Sequence, residues 1–399
     1  MRLYKGELAD IFKTVFKMQV SKGEFVDKFQ KEFARYIGVR HAIATSTGRK
    51  GLELILEALG LKKGDEIILP AYTLKDLVFL LQNKGFIPVL VDIEKDTLNI
   101  DPKLIEKAIT ARTKVIIATH MFGAPCDMDK IIHIAEKYNI SVVEDCAHAA
   151  GAGYNAQRAG SLGKAAFFSL EAIKPINTFG GGMVTTNDPN MAGYIEAEIS
   201  KLPYNSRRVL FKIFYTYCEH LILHSPLYYF ISLLFSSDFF LKIISNTYRS
   251  IHEASRANDY RYSNLQSVLG LKQLGSLDKN NLLRKEKAVI FTKYLKSSIA
   301  VQRILPNTSS SYYFFIVMTH LDSSKARRYL LKEKIDAGSG SEISDDCIAV
   351  THGTGSVSVK EVYGHALQIP LYDSLSKNNI VYIAEALNKI ALVYPHTPV

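Results

Sequence analysis

The sequence predicts an α/β protein: a mostly parallel sheet flanked by helices, followed by a smaller C-terminal α+β domain, with a hydrophobic helical insertion between them. Three features predict it. Short apolar runs alternate with helical patterns between residues 42 and 190, an aromatic-rich apolar stretch fills 203–255, and mixed helix and strand patterns resume beyond it. The boundaries read from these shifts are 1–202, 203–255 and 256–399.

The alternating region carries Ala42-Ile43-Ala44, Glu66-Ile67-Ile68-Leu69, Pro88-Val89-Leu90-Val91, Val115-Ile116-Ile117-Ala118, Ser141-Val142-Val143-Glu144, Ala165-Ala166-Phe167-Phe168 and Met183-Val184-Thr185-Thr186. Near-continuous apolar runs of this length suit strands buried on both faces, and amphipathic segments such as 51–59 and 128–138 suit the helices that cover them. A ligand is then expected beyond the carboxyl ends of the strands.

In the second region, Val209-Leu210-Phe211-Lys212-Ile213-Phe214-Tyr215 is followed by an apolar run over 221–235 that His224 and Pro226 interrupt. That run falls short of the roughly 18–20 uninterrupted apolar residues that span a bilayer. Two readings stand: helices buried against the core or a second subunit, or a peripheral membrane contact, since Arg207, Arg208, Lys212 and Lys242 flank the aromatics as at a headgroup boundary. In the third region a helical stretch over 265–285 leads to one strand pattern, Ser311-Tyr312-Tyr313-Phe314-Phe315-Ile316-Val317-Met318. Amphipathic helices follow over 324–334 and 378–390.

Composition narrows the class. Of 399 residues, 47% are hydrophobic and 22% charged, ordinary for a globular chain able to bury a large core. The formal charge of +10 is spread without a long Lys/Arg block or a zinc-finger spacing, so an anionic small substrate is expected rather than nucleic acid. Cys126, Cys146, Cys218 and Cys347 are widely spaced, indicating neither a disulfide framework nor a zinc site, and no metal is expected. The first residues lack an apolar signal region, so a cytoplasmic location is expected, with membrane association through 203–255 as the variant.

The chemistry is concentrated in two places. Val142-Val143-Glu144-Asp145-Cys146-Ala147-His148 is an apolar run ending in an acid; Phe167-Phe168-Ser169-Leu170-Glu171-Ala172-Ile173-Lys174 ends in a hydroxyl and a lone lysine, and Gly180-Gly181-Gly182 follows. This is the set a pyridoxal phosphate (PLP) site requires: Lys174 to attach the aldehyde and shuttle protons, Asp145 to pair with the pyridinium nitrogen, and Ser169 to hold the phosphate. Thr45-Ser46-Thr47-Gly48-Arg49 lies between a strand and a helix, where free N–H groups and the helix dipole bind phosphate, making Gly48 and Arg49 further candidates.

Together these residues resemble the DegT/DnrJ/EryC1/StrS family of PLP-dependent sugar aminotransferases. The similarity also takes in Gly23-Glu24-Phe25-Val26, Asp92, Asp101, His120-Met121-Phe122-Gly123 and Tyr260-Arg261. The resemblance implies the fold type I architecture and a homodimer with its active site at the subunit interface. It also implies conversion of a keto group, on a nucleotide-activated sugar, to an amine with glutamate or glutamine as donor. His148 falls where the family contacts the cofactor ring, and His120 and Arg261 become candidate substrate contacts. Sugar dehydratases of the same family carry His where Lys174 stands.

Three positions depart from the family pattern. Leu74 occupies the place of an aromatic residue that stacks on the cofactor, with Tyr72 as a replacement. Asp259 stands for an Asn that reaches the neighbouring subunit's phosphate, where a carboxylate is repelled. The glycine turn lacks the family's Glu. These departures leave two alternatives: a membrane-associated aminotransferase acting on a lipid-linked acceptor, and a non-catalytic scaffold or regulatory relative.

Overall fold

The computed structural model describes residue 4, residues 6–223, 225, 259–351, 353, 356–372 and 374–393. All seven apolar runs of the first region are strands of one sheet: β1 (His41–Thr45), β2 (Glu66–Pro70), β3 (Ile87–Val91), β4 (Thr113–Thr119), β5 (Ser141–Asp145), β6 (Ala165–Ser169) and β7 (Gly182–Thr186). Their spatial order is β1-β7-β6-β5-β4-β2-β3. The neighbours from β6 to β3 are parallel, while β7 is antiparallel to both β6 and β1.

The reversal into β7 has a local cause. Phe179, Gly180 and Gly181 all take positive φ (56°, 122° and 106°), and Thr178 N–H and Gly180 N–H both donate to the Leu170 carbonyl. The chain therefore turns back at once and sets Gly182 beside Ser169. As a result the C-terminal ends of β1, β5 and β6 and the first residue of β7 share one edge of the sheet.

Helices α1 (Glu7–Phe16), α2 (Phe25–Ile37), α3 (Gly48–Ala58), α4 (Lys75–Asn83), α5 (Pro102–Ala108), α6 (Met128–Lys137) and α7 (Pro189–Ser200) belong to this part of the chain. In α2, Phe29, Phe33 and Ile37 recur every four residues and are buried beneath β1 and β6 with Ala44 and Phe168. Full burial of such side chains stabilises by about 1.5–3 kcal/mol each. On the opposite face, Leu52, Ile55 and Leu56 of α3 pack with Ile43, Phe167 and Val184. The sheet is thus covered on both sides, as near-continuous apolar strands require.

The stretch read as one helix over 265–285 is two, α9 (Asn264–Leu274) and α10 (Leu277–Tyr294), where α8 is Ser206–Leu223. A capping box starts α9: Ser263 Oγ accepts from the Gln266 N–H and the Gln266 side chain returns to the Ser263 N–H. The C-terminal sheet contains β8 (Ala300–Val301), β9 (Phe315–Met318), β10 (Gly338–Ser339) and β11 (Ala366–Ile369), all antiparallel in the order β8-β9-β11-β10. With α10, α11 (Ser323–Lys332) and α13 (Lys377–Val393) it encloses Phe291, Phe315, Leu367, Ile380 and Leu387, while Val359 and Val362 of α12 (Val357–His365) pack with Tyr72 and Phe122.

The strand expected over 311–318 begins only at Phe315. Its first half is diverted because Tyr312 takes a left-handed φ of 47° and Ser311 is drawn to the large sheet, where its N–H donates to the Gly123 carbonyl. Of the apolar insertion, the first part forms α8; apart from Ser225, the remainder up to residue 258 lies outside the described residues. Val209 and Ile213 of α8 pack with Ile11, Phe179, Tyr260 and Leu269, while Phe211, Phe214 and Leu221 are exposed. No described helix is long and apolar enough to cross a membrane.

Candidate active site

The sheet edge defined by β1, β5, β6 and β7 gathers the sequence candidates. Asp145 ends β5 and is 5% exposed. Its Oδ1 accepts from the Ala147 N–H at 3.0 Å, and burial pushes its carboxyl above the ordinary value against the opposing pull of that N–H and of the Lys174 charge. Lys174 follows β6 on a turn closed by its own N–H to the Glu171 carbonyl. Desolvation lowers its amine to about 8, although Asp145 and Glu171 both favour the charged form. A lysine with an appreciable free-amine fraction near neutral pH is a nucleophile and a proton carrier; an ordinary surface lysine is neither.

His148 closes the other side. Buried against Phe122 (centroids 6.0 Å apart) and Tyr313 (4.4 Å), its ring is held neutral by desolvation and by the nearby Lys174 charge. Its Nδ1 is buried with no hydrogen-bond partner among the described residues. A buried polar atom of this kind calls for a polar ligand.

The phosphate candidates converge at the start of α3. Thr47 caps the helix by accepting from the Lys50 N–H at 3.0 Å, and the first intrahelical bond is made by the Gly51 N–H to the Thr47 carbonyl. The N–H groups of Gly48 and Arg49 precede that bond, at the positive end of the helix dipole. A Cβ on Gly48 would lie 3.1 Å from the Phe168 carbonyl oxygen and 3.5 Å from Ser169 Cα, so helix and β6 meet backbone to backbone. Arg49 turns its guanidinium to Asp76 at 2.5 Å, so its backbone rather than its side chain belongs to the cradle.

Other candidates are placed differently from the sequence expectation. His120 is 0% exposed: its Nε2 lies 3.0 Å from Glu144 Oε2 and its Nδ1 accepts from the Cys126 N–H. Both ring nitrogens are engaged inside the protein, so the substrate role expected of His120 gives way to a structural one. Glu144 is held there by the N–H groups of Gly160, Leu162 and Gly163 as well, because it faces away from the strand end that Asp145 occupies. Arg261 is placed apart from Lys174 and Asp145 in this chain. Its guanidinium stacks on Tyr204 and borders a cavity of about 250 Å³ shared with Asp27, Gln30 and Glu196 at the β1 edge.

Leu74 forms the N-cap of α4 and is 42% exposed. Tyr72 does not replace a stacking aromatic there, because it is buried with Ile93, Leu98 and Phe122 in the core. Asp259 is turned onto its own chain, accepting from Ser46 Oγ at 3.1 Å and pairing with Lys50 at 3.0 Å. Where the glycine turn lacks a Glu, Lys212 of α8 reaches Glu171 at 2.6 Å. Sequence reasoning missed Phe122 and Tyr313: the first stood in a quoted motif, the second in a strand pattern, and neither signal revealed a ring against His148.

A desolvated lysine facing a buried carboxylate at the carboxyl edge of a sheet, with a helix N-terminus alongside, defines a PLP-dependent transferase, and the residues present fit that cofactor. The chain belongs to the DegT/DnrJ/EryC1/StrS aminotransferase family, whose model matches residues 4–213 and 240–388. It is 28% identical over 377 residues to the GDP-perosamine synthase of Escherichia coli O157:H7, covering 92% of this chain and 91% of that one. Identity rises to 45% over 172 residues with the GDP-perosamine synthase of Caulobacter vibrioides, a match spanning 43% of this chain and about half (46%) of that relative. In the dTDP-3-amino-3,6-dideoxy-alpha-D-galactopyranose transaminase of Aneurinibacillus thermoaerophilus, 28% identity extends over 92% of this chain and 90% of that one. The fold is shared with an aminotransferase from Psychrobacter cryohalolentis (TM-score 0.79, 23% identity, 98% of each chain) and with Helicobacter pylori PseC (TM-score 0.78, 20% identity, 98% of each).

Proposed function

We propose that this chain transfers the amino group of glutamate or glutamine to a keto carbon of a nucleotide-activated sugar. The observation that carries the reading is the Lys174 amine, lowered to about 8 and set between Asp145 and His148 in a chain of this aminotransferase family. Relatives named for GDP- and dTDP-linked amino sugars support the nucleotide-sugar acceptor. The family's dehydratase branch is disfavoured by the lysine itself.

When bound, PLP supplies an electron sink for the carbon that bears the amine. Lys174 Nζ takes the proton from that carbon of the donor and returns one to the corresponding carbon of the acceptor. Asp145 would pair with the ring nitrogen and favour its protonated form. Neutral His148 would offer Nδ1 to the ring's oxygen substituent, and the N–H groups of Gly48 and Arg49 with the Ser169 hydroxyl would hold the phosphate. Donor and acceptor use the same cleft in turn, so ping-pong kinetics follow. The exposed faces of α1 (Phe12, Phe16) and α8 (Phe211, Phe214) support a homodimer, which light scattering tests.

The deciding experiment is a visible spectrum of the purified protein with PLP, before and after L-glutamate. The expected result is a yellow protein-bound band that bleaches with glutamate and is missing in Lys174→Ala. Absence of the band at saturating PLP would overturn the reading.

A further inference from the structure

Tyr313 arrives at the site from the segment that leads into the C-terminal strand β9, not from the strand edge that carries the other residues. Lys174 Nζ lies 4.7 Å from the centre of its ring, within the range of a cation–π contact. The same ring stacks on His148 at 4.4 Å and on Phe314 at 4.1 Å, and Phe122 stacks on both His148 (6.0 Å) and Phe314 (5.9 Å). Phe122, His148, Phe314 and Tyr313 therefore form one aromatic cluster, and the Tyr313 ring is its face against the Lys174 amine.

The backbone is arranged to put it there. Tyr312, with no glycine's freedom, holds φ at 47°, a strained value. It is held by its neighbours: Ser310 Oγ accepts from the Tyr312 N–H, Ser311 Oγ donates to the His148 carbonyl, and Arg284 Nε donates to the Ser311 carbonyl. A Cβ on Gly123 would fall 2.1 Å from Ser311 Oγ and 3.2 Å from the His148 carbonyl oxygen, so this junction also fixes a glycine. The Tyr313 hydroxyl takes no part in the anchoring, because Oη is buried with no hydrogen-bond partner among the described residues. What the fold fixes is the ring.

We propose that Tyr313 is a positioning residue for Lys174, its ring face holding the amine in line with Asp145 and His148. The inference rests on the reading of Lys174 as the residue that carries PLP. Its test begins without the cofactor, so the two can fail separately.

In the PLP-free protein, trace acetylation across pH, read by mass spectrometry at the Lys174 peptide, gives the midpoint and reactivity of that amine. Tyr313→Leu removes a contact that favours the charged amine, and the midpoint should fall by about half a pH unit or more. Tyr313→Phe keeps the ring and should bring the midpoint back toward the wild-type value. With PLP bound, the glutamate half-reaction should slow about 10-fold or more in Tyr313→Leu, the scale on which misplacing a proton-transfer group acts, and recover most of that loss in Tyr313→Phe. Should Tyr313→Leu fail to fold, Tyr313→Met makes the same comparison. A midpoint that stays or rises in the ringless variant would overturn the proposal. So would a Tyr313→Phe as impaired as Tyr313→Leu, which would assign the role to the hydroxyl.

Discussion

Gly182 and Gly48 touch through their backbones: a Cβ on Gly182 would lie 2.5 Å from the Gly48 nitrogen and 2.5 Å from the Thr47 carbonyl carbon. This contact binds the antiparallel strand β7 to the N-terminus of α3, and it sets the spacing of the proposed phosphate cradle.

Gly182→Ala should therefore loosen the cradle as well as the fold. Both opposing atoms are backbone and cannot swing aside, so the overpacking cost is about 1–3 kcal/mol. Thermal unfolding should show a lower Tm, and PLP should bind more weakly than to the wild-type protein.

The Lys174 amine sets a pH dependence. Its folded value, about 8, lies below that of an unfolded lysine, so the unfolded chain binds more protons between that pH and the ordinary lysine range. Lys174 thus contributes a gain in stability as pH rises through that window. The rate of PLP attachment should rise with a midpoint near 8. Attachment rates that climb only in the ordinary lysine range would show the amine to be solvated.

Asp145→Asn removes the charge that supports the ammonium form of Lys174 and the protonated cofactor nitrogen. The Lys174 midpoint should move further down. Turnover with glutamate should fall by roughly 10² or more, the scale of a lost proton-transfer or charge-stabilising group. PLP binding through Lys174 should survive, which a stopped-flow spectrum separates from the loss in turnover.

His120→Ala tests the structural assignment of that residue. Removing it strips one partner from buried Glu144 and the acceptor from the Cys126 N–H, at a cost of about 1–3 kcal/mol for the stranded groups. Denaturant unfolding should report the loss, while KM for glutamate stays near the wild-type value. A large rise in KM with unchanged stability would return His120 to the substrate.

The seven strands were legible in the sequence because burial on both faces forces continuous apolar runs; Asp145 and Ser169 end two of them, and Lys174 and the glycine turn follow the second. Strand periodicity also separates Asp145 from Glu144: neighbours on a strand point to opposite faces, and only one of the two acids faces the cleft. The partners of His120 and Arg261 were not legible, because a polar side chain near a motif says nothing of which group it will find inside.

Tertiary structure alone decided the rest. That Lys174 is desolvated, that Asp259 folds back on Lys50, and that Tyr313 reaches the amine from the segment before β9 all depend on contacts between segments distant in the chain. Local pattern encodes which face of an element is buried. The identity of the group that covers that face is fixed only when the whole chain has packed.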